Sequence, residues 1–296
     1  MNEYKLIATN FLGESIDLWN DSEVTLTSIE GVSMNADVSA MRLGAMDGSS
    51  YIGSRLNERD ISFIVQYHSP TGEDEAAKLR MYRIFRPKKE IILRYISPLQ
   101  DKYIVGYCAK CETPPMAYPM VTQIEIKAED PYWKKYGGNS FVMCGVEPSF
   151  EFAVKVTDNV TTKNTELNEV EFGITKMNMV SNIVYAGDTD SGFSITFNIY
   201  NTGSKLGLLN IDTNEYLSVS GSFQNGDVVT ICTVPRKKSI TLERENDKID
   251  YFAHLDAGSS FLMLSPGSNK FKLILDGIDI SFLNVTCTYD ILYGGV

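Results

Sequence analysis

The side chains best equipped for chemistry in this chain come in incomplete sets. Cys108 and Cys111 stand at C-x-x-C spacing in "CAKC", a pattern that serves zinc binding or dithiol redox chemistry. A structural zinc wants four ligands, usually two such pairs, and only one is present. A thioredoxin-type site wants its first thiol at a helix N-terminus, where the dipole lowers its pKa. This pair instead follows the strand-like "YIVGY" and precedes "ETPP", so buried or incidental thiols are the plainer reading. The run "GDTDSG" at 187–192 places Asp188 and Asp190 as in half a calcium loop, but Gly192 takes the fifth ligand position and no helices flank it, which favours a turn.

The two histidines, His68 and His254, each fall at a strand end with no nucleophile nearby in sequence, so neither has the setting of a general base. No G-x-S-x-G, H-E-x-x-H, G-x-G-x-x-G or phosphate-loop pattern occurs. Carboxylate pairs are inevitable among 38 acidic residues, but a glycosidase pair is defined by a separation of ~5 to 10 Å in space, which sequence does not show. A non-enzyme without metal or cofactor is therefore the expectation. A sugar-binding module is the stronger rival to a structural role, with Tyr185, Tyr200, Tyr216, Tyr251 or Tyr289 as its platform, although tyrosines at strand spacing more often pack in cores.

The one local charge run that opposes the overall acidity is "RMYRIFRPKK". Part of it compensates a helix dipole; Arg86, Lys88 and Lys89 also suit a docking patch for an acidic neighbour. Tyr132 and Trp133, beside a domain stop, are the aromatic candidates for the same interface.

The elements that must position these residues are mostly strands. Apolar residues alternate in "RDISFIVQY" (Ile61, Phe63, Val65, Tyr67), "QIEIKA" and "GFSITFNIY". Asp276-Gly277 between two alternating runs, the second with Ile278, Ile280 and Phe282, predicts a hairpin. One helix is expected over about 72–85, with Thr71 and Asp74 in capping-box spacing, Ala77, Met81 and Ile84 on its apolar face, and Pro87 ending it.

At 296 residues two domains are the natural division. The stretch "IEIKAEDPYWKKYGG" marks the boundary: an alternating strand closes, Asp130-Pro131 breaks the ladder and Gly137-Gly138 forms a hinge. This predicts a β domain with one helix over 1–136 and a wholly β domain over 137–296. Net charge is -11, with 16 basic against 19 acidic residues up to Tyr136 and 11 against 19 beyond it, so the parts carry -3 and -8. Both signs argue against tight nucleic-acid binding, which depends on Lys and Arg displacing counterions. Five scattered cysteines suit reduced thiols and folding in the cytoplasm. No apolar run approaches the roughly 18 residues that would span a bilayer, and the first residues lack a signal-peptide core.

In order, "GVSMNADV", "LGAMDGSSYIGSRLNERDISFIVQY" with its Asp47-Gly48 turn and Arg59, "IFRPKKEIILRY" and "AEDPYW", then "NIVYAGDTDSGFSITFNIYNTG", "NGDVVTICT" and "SPGSNKFKL", resemble the distal tail proteins (Dit) of long-tailed bacteriophages. "FLMLSP" departs from many relatives, which carry a tryptophan there, and 156–182 has no counterpart in the pattern. The resemblance implies a mainly β fold, with an N-terminal ring-forming domain and a C-terminal galectin-like or jelly-roll sandwich. It implies a non-enzymatic virion protein of the tail tip, six copies forming a hub ring between the tail tube protein and the tail-associated lysin or fibre protein. Receptor-binding proteins would dock on its outer domain, and DNA would pass the ring without specific binding. The alternative is a carbohydrate-binding module acting directly in cell-wall adhesion.

Overall fold

The computed structural model describes residues 4–42, 44, 47–68, 74–115, 119–150, 172–177 and 179–296. The expected capping residue Thr71, and most of the segment 156–182, lie outside these residues. Two compact units divide the chain: Met1–Gly137 together with Leu292–Val296, and Gly138–Ile291.

The first unit contains strands β1 (Lys5–Asn10), β2 (Ser15–Asp17), β3 (Val24–Glu30), β4 (Ala36–Arg42), β5 (Ser49–Leu56) and β6 (Arg59–Tyr67), helix α1 (Asp74–Ile84), and strands β7 (Glu90–Ser97), β8 (Gln100–Glu112), β9 (Val121–Ala128) and β10 (Trp133–Lys135). Antiparallel pairing orders the main sheet β2-β1-β7-β8-β9-β6-β3. The alternation seen in the sequence becomes burial: Ile61, Phe63, Val65 and Tyr67 of β6 are buried, as are Ile124, Ile126 and Ala128 of β9. Helix α1 covers that face with Ala77, Met81 and Ile84, all buried at the predicted spacing. Asp74 and Glu75 in its first turn and Arg83 in its last complement the helix dipole.

The expected boundary placed everything after 137 in the second domain, whereas the last five residues belong to the first unit. Their strand β22 (Leu292–Tyr293) pairs antiparallel with β10, Trp133 opposite Tyr293 and Lys134 opposite Leu292. Strand β10 also pairs with β8. The Gly138–Ile291 unit is thus inserted between two strands that pair with each other. A two-residue strand has too little alternation to be read from sequence.

The second unit contains strands β11 (Asn139–Phe150), β12 (Phe172–Met177), β13 (Val180–Tyr185), β14 (Phe193–Ile199), β15 (Gly203–Asn210), β16 (Tyr216–Phe223), β17 (Val228–Cys232), β18 (Ser239–Arg244), β19 (Asp247–Asp250), β20 (Gly267–Asp276) and β21 (Leu283–Tyr289). They form two antiparallel sheets, β12-β11-β21-β14-β17-β18-β19 and β13-β20-β15-β16. The buried faces interlock: Ile195, Phe197, Ile231 and Val285 line one side, Ile183, Leu208, Val219 and Leu273 the other. Phe193 and Phe271 meet between the sheets at 5.8 Å between ring centroids. This is a β-sandwich.

One strand expectation fails here. After Asp276-Gly277 the residues Ile280–Phe282 form a single 3-10 turn, capped by the Asp279 carboxylate accepting from Ser281 N at 3.0 Å. The chain then enters β21 in the opposite sheet instead of folding back on β20. The apolar alternation of Ile278 and Ile280 imitated a strand, but Asp279 holds the local backbone in a turn.

Candidate assembly surfaces

The chemistry-bearing residues resolve into structural roles. Cys108 sits inside β8, its Sγ donating to the carbonyl of Phe85 at 3.2 Å. Burial pushes its thiol up to about 11. Burial also raises Cys111, followed by the charge of Cys108, to about 12. Thiols so protonated near neutrality are poor nucleophiles and poor metal ligands. Among the described residues no group of three His, Cys, Asp or Glu side chains is placed to hold a metal. His68 Nδ1 pairs with Thr25 Oγ1 at 3.2 Å, and His254 stacks on Tyr251 at 3.7 Å. Of the tyrosines considered as a sugar platform, Tyr185 and Tyr251 are buried and Tyr200 is exposed. Tyr289 is half-buried, edge-on to Tyr185, and Tyr216 donates its hydroxyl to Ala257 O.

Among the described residues of the first unit the most heavily bonded side chain is that of Arg59, at the start of β6 and only 6 % exposed. Its Nε donates to Pro131 O at 2.7 Å. Nη1 reaches Gly31, Val32 and Ser33 carbonyls at 3.0, 2.9 and 2.9 Å, and Nη2 reaches Gly294 O at 2.6 Å. The planar guanidinium offers five donors in a fixed fork, which suits three converging backbone segments. Burial lowers its pKa from the ordinary arginine value. Gly31 is required beside it: its φ is +80°, and a Cβ there would lie 1.9 Å from Asp60 O. Lys102 completes the anchoring of the tail, donating to Gly295 O at 2.9 Å and lying over the Tyr293 ring.

From this junction an arm departs. Strands β4 and β5 pair with each other and with no other described strand. Val38, Met41, Tyr51 and Ile52 are exposed by 65, 54, 64 and 65 %. Four large apolar side chains on an otherwise unpacked ribbon are unusual in a self-sufficient domain, because a lone hairpin is marginal in water. In the sequence the arm shows only as apolar residues in a Ser-, Ala- and Gly-rich stretch.

Arg86, Lys88 and Lys89 are exposed in the turn between α1 and β7, without an ion pair among the described residues. Lys88 holds a φ of +66°, fixed by its N–H bond to Cys108 O at 3.0 Å. The Lys89 ammonium lies 5.0 Å from the centre of the Phe11 ring. Phe11 and Leu12 are exposed at the β1–β2 hairpin tip, where Asn10 Oδ1 accepts from Leu12 N and Glu14 N and locks the turn. In the sequence the only mark of this surface is a pair of bulky apolar residues, Phe11 and Leu12, at a turn tip.

Trp133 is a correction. Expected at an interface, it is fully buried, its Nε1 donating to Val32 O at 3.2 Å. Local sequence showed it beside a breaker, but the pairing of β10 with β8 and β22 encloses its ring. Tyr132 is half-buried beside it.

These features define a β-rich protein with an exposed apolar arm and an exposed basic turn. Residues 186–293 match the family model of the siphovirus-type tail component, C-terminal domain. The match lies within the Gly138–Ile291 unit apart from its last two residues, which fall on β22. Its fold is similar to the SPP1 phage Dit protein (gp 19.1), described as a paradigm of the hub adsorption apparatus in phages infecting Gram-positive hosts, with a TM-score of 0.65 and 10% identity over 97% of this chain and 98% of that one. It is also similar to a chain of the phage P2 baseplate in its activated conformation with Ca, with a TM-score of 0.51 and 11% identity over 97% of both chains. No curated protein matches the chain in sequence.

Proposed function

We propose that this chain is a structural hub protein of a siphophage tail tip, with no catalytic role of its own. Six copies close into a ring through the first unit, joining the tail tube protein to a tail-associated lysin or fibre protein, and the second unit offers a platform for receptor-binding proteins. The observation that carries this reading is the unpartnered β4–β5 arm, whose apolar side chains find no cover within their own unit. A ring needs a heterologous contact, one surface of each copy meeting a different surface of the next, and a projecting arm supplies one half of it. The likeness in fold to the SPP1 hub protein supports the same reading. An acid excess of -11 suits a channel that passes DNA without retaining it. Replacing Val38, Met41, Tyr51 and Ile52 together by serine should leave the fold intact and reduce the wild-type oligomer to monomers in analytical ultracentrifugation. An unchanged oligomer would refute the arm's role.

A further inference from the structure

One rim of the first unit's sheet carries opposite charge toward its two sides. On the β1–β7 side, the turn Arg86-Pro87-Lys88-Lys89-Glu90 sets three cations against one carboxylate, beside the exposed Phe11 and Leu12. On the β6–β3 side, at the root of the arm, lie Glu30, Glu58 and Asp60, all exposed. Glu58 and Asp60 share the single ammonium of Lys127, at 3.2 and 3.4 Å, and Glu30 has no ion pair among the described residues.

Strand register puts both groups on one rim. Glu90 pairs with Tyr107, Tyr107 with Lys127, and Lys127 with Asp60. Three strand steps, about 14 Å at ~4.8 Å each, separate β7 from β6. The two groups are therefore beyond ion-pair reach of one another within a copy, the basic turn toward the β1–β2 side of the rim and the acidic group toward its β3 side.

Resting on the ring reading, we infer that the acidic arm root of one copy docks on the basic, Phe11-tipped edge of a second copy of this chain. The occupant follows from charge complementarity: each edge supplies the sign and the contact type that the other lacks. Because the two surfaces differ, the contact is head-to-tail, and it leaves both edges engaged only when the chain closes on itself. The arm leaves from the acidic edge, so its apolar strands would reach the same neighbour. Phe11 and Leu12 supply apolar burial at the centre of the contact, while the charges set register and suppress wrong orientations.

The test is charge reversal with mixing, read by sedimentation of the full chain. K88E/K89E and E30K/E58K each alter exposed residues and leave the Asp60–Lys127 pair in place. Each variant alone should raise the half-assembly concentration by about tenfold or more, since like charges then meet at every contact. An equimolar mixture should return to within about threefold of wild type, because alternating copies restore every opposite-charge contact. Assembly should also weaken as salt rises. Reversal variants that assemble as wild type, or a mixture that does not recover, would overturn this pairing while the ring reading stands. A wild-type chain that remains monomeric with and without its tube partner would overturn the ring reading and the pairing with it.

Discussion

Arg59 Nη2 donates to the carbonyl of Gly294 at 2.6 Å, joining residues 235 positions apart in the chain. The same guanidinium holds the root of the arm at Gly31–Ser33 and the exit strand at Pro131. One side chain thus gathers the arm, the departure toward the second domain and the return from it.

Arg59→Ala should destabilise the first unit by about 3 kcal/mol or more, because five carbonyls lose a charged donor in a buried place. Arg59→Lys should recover only part of this, since an ammonium lacks the fork that spans three segments. Urea midpoints of the two variants would check the order; a lysine variant as stable as wild type would contradict it.

The inserted second domain predicts a clean excision. Replacing residues 138–291 by a two-residue Asn-Gly turn should leave the first unit folded, because β10 and β22 already pair antiparallel as a hairpin would. Ending the chain at Ile291 should instead weaken that unit, since Arg59 and Lys102 lose Gly294 and Gly295 as acceptors. Thermal unfolding of both constructions would distinguish them, and equal midpoints would count against the tail's anchoring role.

Trp133→Ala should act on stability, at about 3–5 kcal/mol for a buried indole lost from a packed core. Circular dichroism melts of the monomer would read this directly. A variant with wild-type stability and lost assembly would restore Trp133 to an interface.

Alkaline pH should loosen the fold in a defined window. Burial raises Cys108 to about 11 and Cys287 to about 12 from a thiol value of 9.0, and raises Tyr67 from 10.0 to about 12. Each is neutral in the fold and ionises earlier when unfolded. Their stabilisation is complete below pH ~9 and is lost as pH climbs toward 11–12, at up to about 1.4 kcal/mol per pH unit for each group. Unfolding free energies measured from pH 8 to 11 should fall steadily; a flat profile would contradict the burial of these groups.

Much of the fold was legible because burial on one face leaves a period of two in the residues that face the core. Ile61, Phe63 and Val65 of β6, and Phe193, Ile195 and Phe197 of β14, announce themselves that way. Ile278, Ile280 and Phe282 carry the same pattern and form a 3-10 turn, because a single carboxylate, Asp279, decides the local backbone. The surfaces were less legible. Arg86, Lys88 and Lys89 stand out as a charge run, but the position of Phe11 beside Lys89 depends on two turns brought together by the pairing of β1 with β7. Trp133 shows the reverse: a residue that looks like an exposed anchor in sequence is enclosed by a strand more than 150 positions downstream.

The central claim is that this chain works by closing on copies of itself. Mass photometry of the purified chain, alone and with a tail tube protein, tests it most directly. The account predicts a discrete species of six chain masses that images as an annulus. Monomers or dimers at every concentration, in both settings, would contradict it.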